Sequence, residues 1–161
     1  LCSASKALST AAVKVLPAAD ALAAGGAEQV FVCGGYDGKR FLSQIDRLDP
    51  TTGSWKPVPP MSVPREAAAA AVVGGQIIVC GGFDGTTRLA AAERFHPTAG
   101  SWQELPPMTS RRVGACAAVL EGKLVICGGF DGERYLSSVE RFDDSSQRWE
   151  SMSPMIVARE G

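Results

Sequence analysis

The 161-residue chain has a single histidine and no excess of basic residues. Its 16 Lys and Arg residues are balanced by 17 Asp and Glu residues. Nucleic-acid binding needs a basic stripe that neutralises phosphates, so no nucleic-acid partner is expected. No window approaches the roughly 18 apolar residues that span a bilayer, and the N-terminus lacks the order of a secretory signal. No membrane partner is therefore expected either, and we interpret the chain as soluble.

The five cysteines lack the short spacings that metal ligands use. Cys33, Cys80 and Cys127 occupy one equivalent position, whereas Cys2 and Cys116 are isolated. We interpret all five as reduced thiols of a cytoplasmic protein. The three equivalent thiols are expected to serve as small buried hydrophobes.

A catalytic site is hard to assemble from these residues. One histidine, His96, cannot complete a Ser/His/Asp or Cys/His set, and it stands at a predicted strand end. A copper site would need clustered His and Tyr, but Tyr36 and Tyr135 are far apart in the chain. The Asp-Gly dipeptides could supply a ring of carboxylates, but a turn explains each of them. We expect no enzyme, no cofactor and no metal site.

What the sequence does contain is a threefold repeat. Residues 79–85 read VCGGFDG, and their counterparts at 32–38 and 126–132 lie 47 residues to either side. Other markers keep the same step: Trp55, Trp102 and Trp149; the Pro-Met pairs at 60–61, 107–108 and 154–155; and Arg65, Arg112 and Arg159. Self-similarity at such a period is typical of stacked repeat architectures.

The period divides the chain into units of equal length. They span residues 18–64, 65–111 and 112–158, and residues 159–161 begin a fourth unit, so the chain looks cut from a longer one. Residues 1–17 carry no repeat and predict a linker or a short helix. In the first unit the opening strand is expected within residues 18–28, degenerate or displaced, because Ala18 stands where the other units have Arg.

The second unit predicts four strands. Residues 67–73 and Gln76–Cys80 flank Gly74-Gly75, a strong hairpin signal. A third strand is predicted over residues 89–95 and a fourth over Ser101–Leu105. The alanines of the first strand are expected to lie nearest the axis of a radial array, where space is small. Each unit is therefore predicted to be a four-stranded antiparallel sheet.

The combination of a glycine doublet, a later Trp, a Pro-Met pair and an Arg opening the next unit resembles the Kelch repeat over residues 29–161. The resemblance implies an all-β fold: Kelch-type β-propeller blades in an incomplete arc of three. The chain is most similar to the animal Kelch-like group, in which BTB and BACK domains precede the propeller. This implies the substrate-recognition propeller of an adaptor for a cullin-RING ubiquitin ligase, with a protein or peptide ligand. An actin-binding scaffold is the alternative, and a propeller enzyme with its chemistry in other blades is a third.

The positions that recur in the units divide into structural and ligand-facing groups. Each Trp is expected to wedge between neighbouring blades, and each glycine doublet to permit a sharp turn. The structural residues are Gly34, Gly35, Trp55, Gly81, Gly82, Trp102, Gly128, Gly129 and Trp149. In the dipeptides Asp46-Arg47, Glu93-Arg94 and Glu140-Arg141, one member is expected to form a buried bond between blades and the other to face solvent.

Arginines and aromatic residues accumulate in the loops at one end of every predicted sheet. These residue types dominate protein recognition, and guanidinium groups pair bidentately with the carboxylates of an acidic peptide. The ligand-face candidates are Tyr36, Arg40, Arg65, Phe83, Arg88, Arg111, Arg112, Phe130, Arg134, Tyr135 and Arg159. The alternative, which stays open here, is that the arginines bond the carbonyls of neighbouring loops.

Overall fold

The computed structural model describes residues 11–15, as backbone only, and residues 29–161. The regular structure in this part of the chain is entirely β-strand. The first sheet contains β1 (Ala11–Val15), β2 (Gln29–Tyr36), β3 (Phe41–Asp49) and β4 (Ser54–Val58). The second contains β5 (Ala69–Val73), β6 (Gln76–Cys80), β7 (Ala92–His96) and β8 (Ser101–Leu105). The third contains β9 (Cys116–Leu120), β10 (Lys123–Cys127), β11 (Val139–Asp143) and β12 (Arg148–Met152).

Each sheet is a four-stranded antiparallel meander in chain order. Gly74 and Gly75 join β5 to β6 with φ of 56° and 76°, as a type I′ hairpin requires. β5 lies beside β1 on one side and β9 on the other, so the sheets radiate from a row of first strands. Ala69 and Ala71 on β5 are buried, which shows why small side chains stand there. The predicted all-β fold of four-stranded antiparallel sheets is confirmed.

The first strand of the first sheet corrects a prediction. Residues 11–15 form β1, although residues 1–17 were expected to be a linker or a short helix. Ala11 pairs with Cys33 in the same way that Ala69 pairs with Cys80, and AAVKV resembles the AAAVV of β5. The free edge of β2 therefore takes a strand of suitable composition from upstream of the position that the repeat spacing indicates. The strand expected within residues 18–28 lies outside the described residues.

Strand β7 begins three residues later than the sequence predicts. The carbonyl oxygens of Leu89, Ala90 and Ala91 accept bonds from Arg112, Met108 and Gly81 at 2.9–3.0 Å. Leu89 and Ala90 thus hold the chain that leaves β8, whereas Ala91 accepts from the glycine that follows β6.

The hairpin between β11 and β12 keeps the conformation of its counterparts without their glycine. Gln147 has φ of 53°, close to the 66° of Gly53 and the 64° of Gly100. The third unit was expected to turn differently, but the same left-handed residue closes the turn. A side chain is tolerated there because nothing lies within 4 Å of the position a Cβ would take at Gly53 or Gly100.

The core lies between the sheets. The first sheet contributes Phe31, Cys33, Ile45 and Met61, which pack on Ile77, Val79 and Phe95 of the second. The second contributes Ala69, Ala71, Ile78, Cys80, Ala92, Leu105 and Met108, which pack on Leu124, Ile126 and Phe142 of the third. Each sheet is therefore stabilised mainly by its neighbours, as in other repeat arrays.

Two of the three tryptophans join adjacent sheets. Trp102 packs against the first interface and donates its indole N–H to the Pro59 carbonyl at 2.8 Å. Trp149 does the same at the second interface, with Pro106 at 2.8 Å. Trp55 is 50% exposed, because the described residues provide no blade before the first. The wedge expected of every Trp is thus absent at Trp55.

Each glycine doublet receives the chain that crosses to the next sheet. The Gly82 N–H donates to the Arg112 carbonyl at 2.8 Å, and Gly35 and Gly129 repeat this bond with Arg65 and Arg159. At Gly81, φ is 67° and a Cβ would overlap the Arg112 carbonyl oxygen. A side chain at this position would therefore push the crossing chain away.

We predict that Gly81→Ala lowers the free energy of unfolding by about 3 kcal/mol or more, because it combines strain with overpacking against backbone. Gly100→Ala is the matched control, since its φ is 64° and the space around it is open. It should cost only about 1 kcal/mol. The free energy of unfolding of both variants can be measured with urea. Equal decreases would show that Gly81 is needed only for its left-handed conformation and not for the close approach of the crossing chain.

Candidate protein-binding face

The loops between the second and third strands meet the crossing segments at one end of the sheets. Glu66 and Phe83 exchange two backbone hydrogen bonds at 2.9 and 2.8 Å, and Val113 and Phe130 do so at 3.0 and 2.8 Å. We call this end the loop face. It consists of residues 36–41, 83–88 and 130–135 together with the crossing segments 63–66, 110–113 and 157–160.

An Asp shapes each of the three loops. The Asp84 Oδ1 atom accepts from the backbone N–H groups of Thr86 and Thr87, both at 2.7 Å. Asp37 and Asp131 make the equivalent bonds at 2.8–2.9 Å. Hydrogen bonds from the backbone hold the pKa of all three carboxyls below its usual value. These carboxylates therefore form turns, and none is poised to act as a general acid at neutral pH.

A continuous row of side chains, the aromatic row, crosses the loop face. It consists of Tyr36, Phe41, Phe83, Arg88, Phe130 and Tyr135. The ring of Phe41 in the first blade lies 4.9 Å from that of Tyr36, tilted by 39°, and contacts Phe83 edge to face at 5.2 Å. The Arg88 guanidinium lies 5.8 Å from the Phe83 ring and 5.1 Å from the Phe130 ring. The row thus links three blades by aromatic and cation–π contacts.

Phe41 is the member of this row that sequence reasoning missed. It lies one repeat before Arg88 and two before Tyr135, so the signal was present in the spacing. The change of residue type from Phe to Arg to Tyr hides the equivalence. Phe41 and Arg88 nevertheless both contact the ring of the next blade, because a guanidinium can pack on an aromatic ring much as another ring does.

Arg65 corrects the ligand-face prediction, since its side chain is fully buried. Its Nε and Nη2 atoms donate to Glu93 Oε1 at 3.1 and 2.7 Å. Its Nη1 atom donates to the carbonyls of Gly81 and Ala91 at 2.8 and 2.9 Å. No surface of this guanidinium is left for a ligand.

Arg112 is buried in the same way in the third blade. It donates to Glu140 Oε1 at 3.1 and 2.7 Å and to the carbonyls of Gly128 and Ser138 at 2.6 and 3.0 Å. The Ser138 hydroxyl accepts a further bond at 2.7 Å. For both arginines the alternative of bonding to neighbouring carbonyls is therefore what the structure shows.

These buried pairs connect neighbouring blades. The backbone of Arg65 belongs to the first blade, where its N–H donates to Leu42 and its carbonyl accepts from Gly35. Its side chain reaches into the second blade, where Glu93 also accepts from the Ser62 N–H at 2.9 Å. We call each Arg–Glu pair with its carbonyl contacts an inter-blade pin. Arg65–Glu93 is the first pin and Arg112–Glu140 the second.

The remaining candidates lie at the surface. Arg40 and Arg134 are 71% and 81% exposed and lie 3.4 and 3.7 Å from Asp37 and Asp131. Tyr135 is 55% exposed, and Arg111 is exposed beside the second pin. Arg159 is also exposed, and its Nε atom reaches only the nearby Val157 carbonyl, at 3.5 Å. The loop face thus keeps fewer available arginines than the sequence suggests.

The opposite end of the sheets contains a cavity of about 310 Å³ between the second and third blades. Arg94 lines it, with its side chain 8% exposed and bound to Asp144 at 2.6 Å. The expectation that one member of the Glu93-Arg94 dipeptide faces solvent is thus wrong, because both residues are buried. Lys123 lines the same cavity and pairs with Asp143 at 3.0 Å, which balances its charge.

Catalytic chemistry has little support in the described residues. They contain no group of three or more His, Cys, Asp or Glu side chains that could hold a metal ion. His96 bonds Gln76 at 3.0 Å and lies beside Gln103 at 3.2 Å, at the end opposite the loop face. Burial raises the pKa of the Cys33 and Cys80 thiols to about 12, which makes them poor nucleophiles.

A family model described as the KLHDC2/KLHL20/DRC7 Kelch-repeats domain matches residues 6–159. This chain belongs to the Kelch-repeat family. No match was found among curated proteins. The matched stretch begins upstream of β1, so the Kelch domain includes the strand that the 47-residue spacing misplaced. Kelch-repeat domains are generally protein-interaction modules, and the described part of this one has no helix long and apolar enough to cross a membrane.

We predict that Arg112→Met destabilises the Kelch domain by about 3–5 kcal/mol, because it leaves the Glu140 carboxylate buried without its partner. Arg111→Met changes the adjacent, exposed arginine and should stay within about 0.5 kcal/mol of the wild type. Chemical denaturation compares the two. Adding Glu140→Leu to Arg112→Met should recover part of the lost stability, because the buried carboxylate is then removed. Equal stability of Arg112→Met and Arg111→Met would show that the second pin does not stabilise the domain.

We predict that the β6–β7 loop loosens in acid. The folded-state pKa of Asp84 lies below its unfolded value, so its stabilising bonds are complete above the unfolded pKa and are lost as the pH falls through the folded one. Exchange of the Thr86 and Thr87 amide protons, measured by NMR, should therefore accelerate below a pH of about 4 relative to other loops. Asp84→Asn keeps the accepting oxygen and should remove this pH dependence, and an unchanged profile in that variant would contradict the assignment.

Proposed function

We propose that the loop face of this Kelch-repeat domain binds an acidic segment of a partner protein, and that the domain recognises substrates for a cullin-RING ubiquitin ligase in the cytoplasm. The observation that carries the proposal is the aromatic row with exposed arginines around it. Rings and guanidinium groups contribute most to protein recognition, and here they occupy a scaffold that the pins hold rigid.

The charge at this face favours carboxylates as ligand groups. Arg40 and Arg134 are themselves highly exposed and pair with aspartates of their own loops, and such surface pairs contribute little to stability. A ligand carboxylate can therefore replace Asp37 or Asp131 at low cost. Arg111 and Arg159 add two exposed cations on the crossing segments.

Arg88 supplies a cation that is already in position. Its guanidinium is held between Phe83 and Phe130, so little side-chain entropy is lost when a ligand binds. The planar group can donate two parallel hydrogen bonds to one carboxylate. Tyr135 at the end of the row offers an exposed ring for an apolar side chain next to that carboxylate.

The ubiquitin-ligase part of the proposal rests on resemblance. The motifs at 79–85, at 93–95 and around Trp102 are similar to those of Kelch-like adaptors, in which BTB and BACK domains contact the ligase. In that group the propeller supplies only substrate binding. The proposed adaptor role therefore requires substrate binding but no catalytic group in this domain.

Peptide binding can be measured with a display library of short random peptides panned against the chain. We expect selected peptides to be rich in Asp and Glu, and Arg88→Ala to weaken their binding by about 1–3 kcal/mol, the usual effect of removing a hydrogen bond to a charged group. Arg148→Ala removes an exposed arginine away from the loop face and is the control. Selection of peptides without acidic residues, or equal effects of both variants, would contradict the acidic-ligand proposal.

A separate experiment tests the adaptor role. Immunoprecipitation of the endogenous protein should recover a cullin together with the bound substrate. Co-sedimentation with actin filaments and no cullin would instead favour the scaffold alternative, and it would leave the peptide result intact. The two experiments thus test the ligand chemistry and the cellular role independently.

A further inference from the structure

The cavity of about 310 Å³ at the end opposite the loop face lies between the second and third blades. Ile78 and Arg94 line it from paired positions on β6 and β7, and Leu124 and Phe142 do so on β10 and β11. Val73 adds a further apolar side chain. We call this space the hairpin-end cavity, because the tips of two hairpins border it, and we call its four apolar residues the apolar wall.

Arg94 is a cation of this cavity with few hydrogen bonds. Its side chain is 8% exposed, and the bond that it makes within the described residues runs from Nη2 to Asp144 at 2.6 Å. Its Nε atom is buried and has no partner in this part of the chain. Arg65, which is buried as deeply, donates four hydrogen bonds. A buried guanidinium has five N–H donors, so this one is short of acceptors.

The carboxylates of the cavity are already engaged. Asp143 pairs with Lys123 at 3.0 Å and accepts from two serine hydroxyls of its own turn at 2.7–3.0 Å. Asp144 accepts from the Gln147 side-chain amide at 2.6 Å as well as from Arg94. An additional acceptor for the guanidinium therefore has to come from outside the protein.

Charge decides which class of molecule supplies that acceptor. Asp144 balances Arg94, Asp143 balances Lys123, and Glu121 at a hairpin tip adds a further carboxylate. A ligand anion gains no net attraction from such a lining, and the removal of its hydration shell is costly. An uncharged carbonyl oxygen accepts from the guanidinium without this cost.

The polar lining of the cavity is not part of the repeat. The third blade contributes Lys123, Asp143 and Asp144, whereas one period earlier the chain has Gln76, His96 and Pro97. The glycine doublets and the pins, which hold blades together, recur in successive units. A set of charged groups confined to one interface favours a local ligand over a general role in blade packing.

We propose that the hairpin-end cavity binds a small, uncharged molecule with an apolar body and a carbonyl oxygen. The body packs on the apolar wall, and the oxygen accepts from Arg94, which keeps its bond to Asp144. A cavity of about 150 Å³ is enough to hold benzene, so this larger one has room for an aromatic ring with a short amide. The inference goes beyond the proposed function, because this site lies away from the loop face and takes a ligand of different chemistry.

Phenylacetamide and phenylacetate are matched probes, because they have nearly the same shape and only the second is charged. Each is titrated into the full 161-residue chain and followed by NMR. Phenylacetamide should shift the backbone amide signals of the cavity lining with a Kd of about 1 mM, a usual affinity for about ten non-hydrogen atoms. Phenylacetate should bind at least about tenfold more weakly, because its charge is not compensated. Equal or tighter binding of phenylacetate, or shifts with neither probe, would overturn the proposal.

Asp144→Asn tests the charge argument directly. Asp144 is exposed, and its removal leaves Arg94 without a balancing carboxylate. The preference should therefore reverse, so that phenylacetate binds more tightly than phenylacetamide. Asp46→Asn makes the same change at an exposed position outside the cavity and should keep the wild-type preference. An unchanged preference in Asp144→Asn would contradict selection by charge.

Two further variants test the guanidinium and the space itself. Arg94→Lys keeps a cation for Asp144 but loses the fork of donors, so it should weaken phenylacetamide binding about tenfold. Arg141→Lys makes the same change at the equivalent position of the third blade, outside the cavity lining, and should bind like the wild type. Val73→Phe fills the cavity and leaves its charges in place, so it should abolish binding.

The amide spectrum of each variant reports whether it is folded. If Arg94→Lys does not fold, Val73→Phe and Asp144→Asn still decide the outcome, since they change a half-buried and an exposed residue. Wild-type binding of phenylacetamide by folded Val73→Phe would place the probe elsewhere on the protein and overturn the proposal.

Discussion

The structure depends on a buried ion pair between an arginine at each blade crossing and a glutamate on the following blade. A buried guanidinium is tolerated only where its donors are satisfied, and Arg65 meets this condition with one carboxylate and two carbonyls. Because its own carbonyl accepts from Gly35, the same residue is held at both ends. Backbone and side chain together fix where one blade stops and the next begins.

The pins also decide which arginines remain for recognition. Arg65 and Arg112 belong to the crossing segments of the loop face, yet their side chains donate only to groups inside the protein. Recognition is left to exposed arginines such as Arg40 and Arg134, which are held only by weak pairs, and to Arg88, which the rings hold. Buried arginines thus join the blades, and exposed arginines in neighbouring loops remain available to a ligand.

An inter-blade pin requires both an arginine and a glutamate, so it also restricts which two sheets can pack against each other. Replacing such a pair with apolar residues often costs little stability, whereas removing one half is expensive, so its value lies in specifying which surfaces meet. The second blade has both halves, Glu93 and Arg112, whereas Asp46 and Arg159 at the equivalent positions are exposed.

By itself, the sequence determined the repeat, the strands of the second and third units and most of the turns between them. These follow from local chemistry: Gly74 and Gly75 accept positive φ, proline ends the outer strand, and the spacing keeps the pattern in phase. Most of the loop-face residues were found for the same reason, since loops of equivalent position share one end of a sheet.

Only the tertiary structure decided which arginines are buried and which strand completes the first sheet. Arg112 and Arg111 are neighbours in the chain, and they differ only because a carboxylate 28 residues further on reaches one of them. Residues 11–15 form a strand because the edge of β2 needs a partner, although their spacing breaks the repeat. Both outcomes depend on contacts between distant segments, and local residue preferences do not encode such contacts.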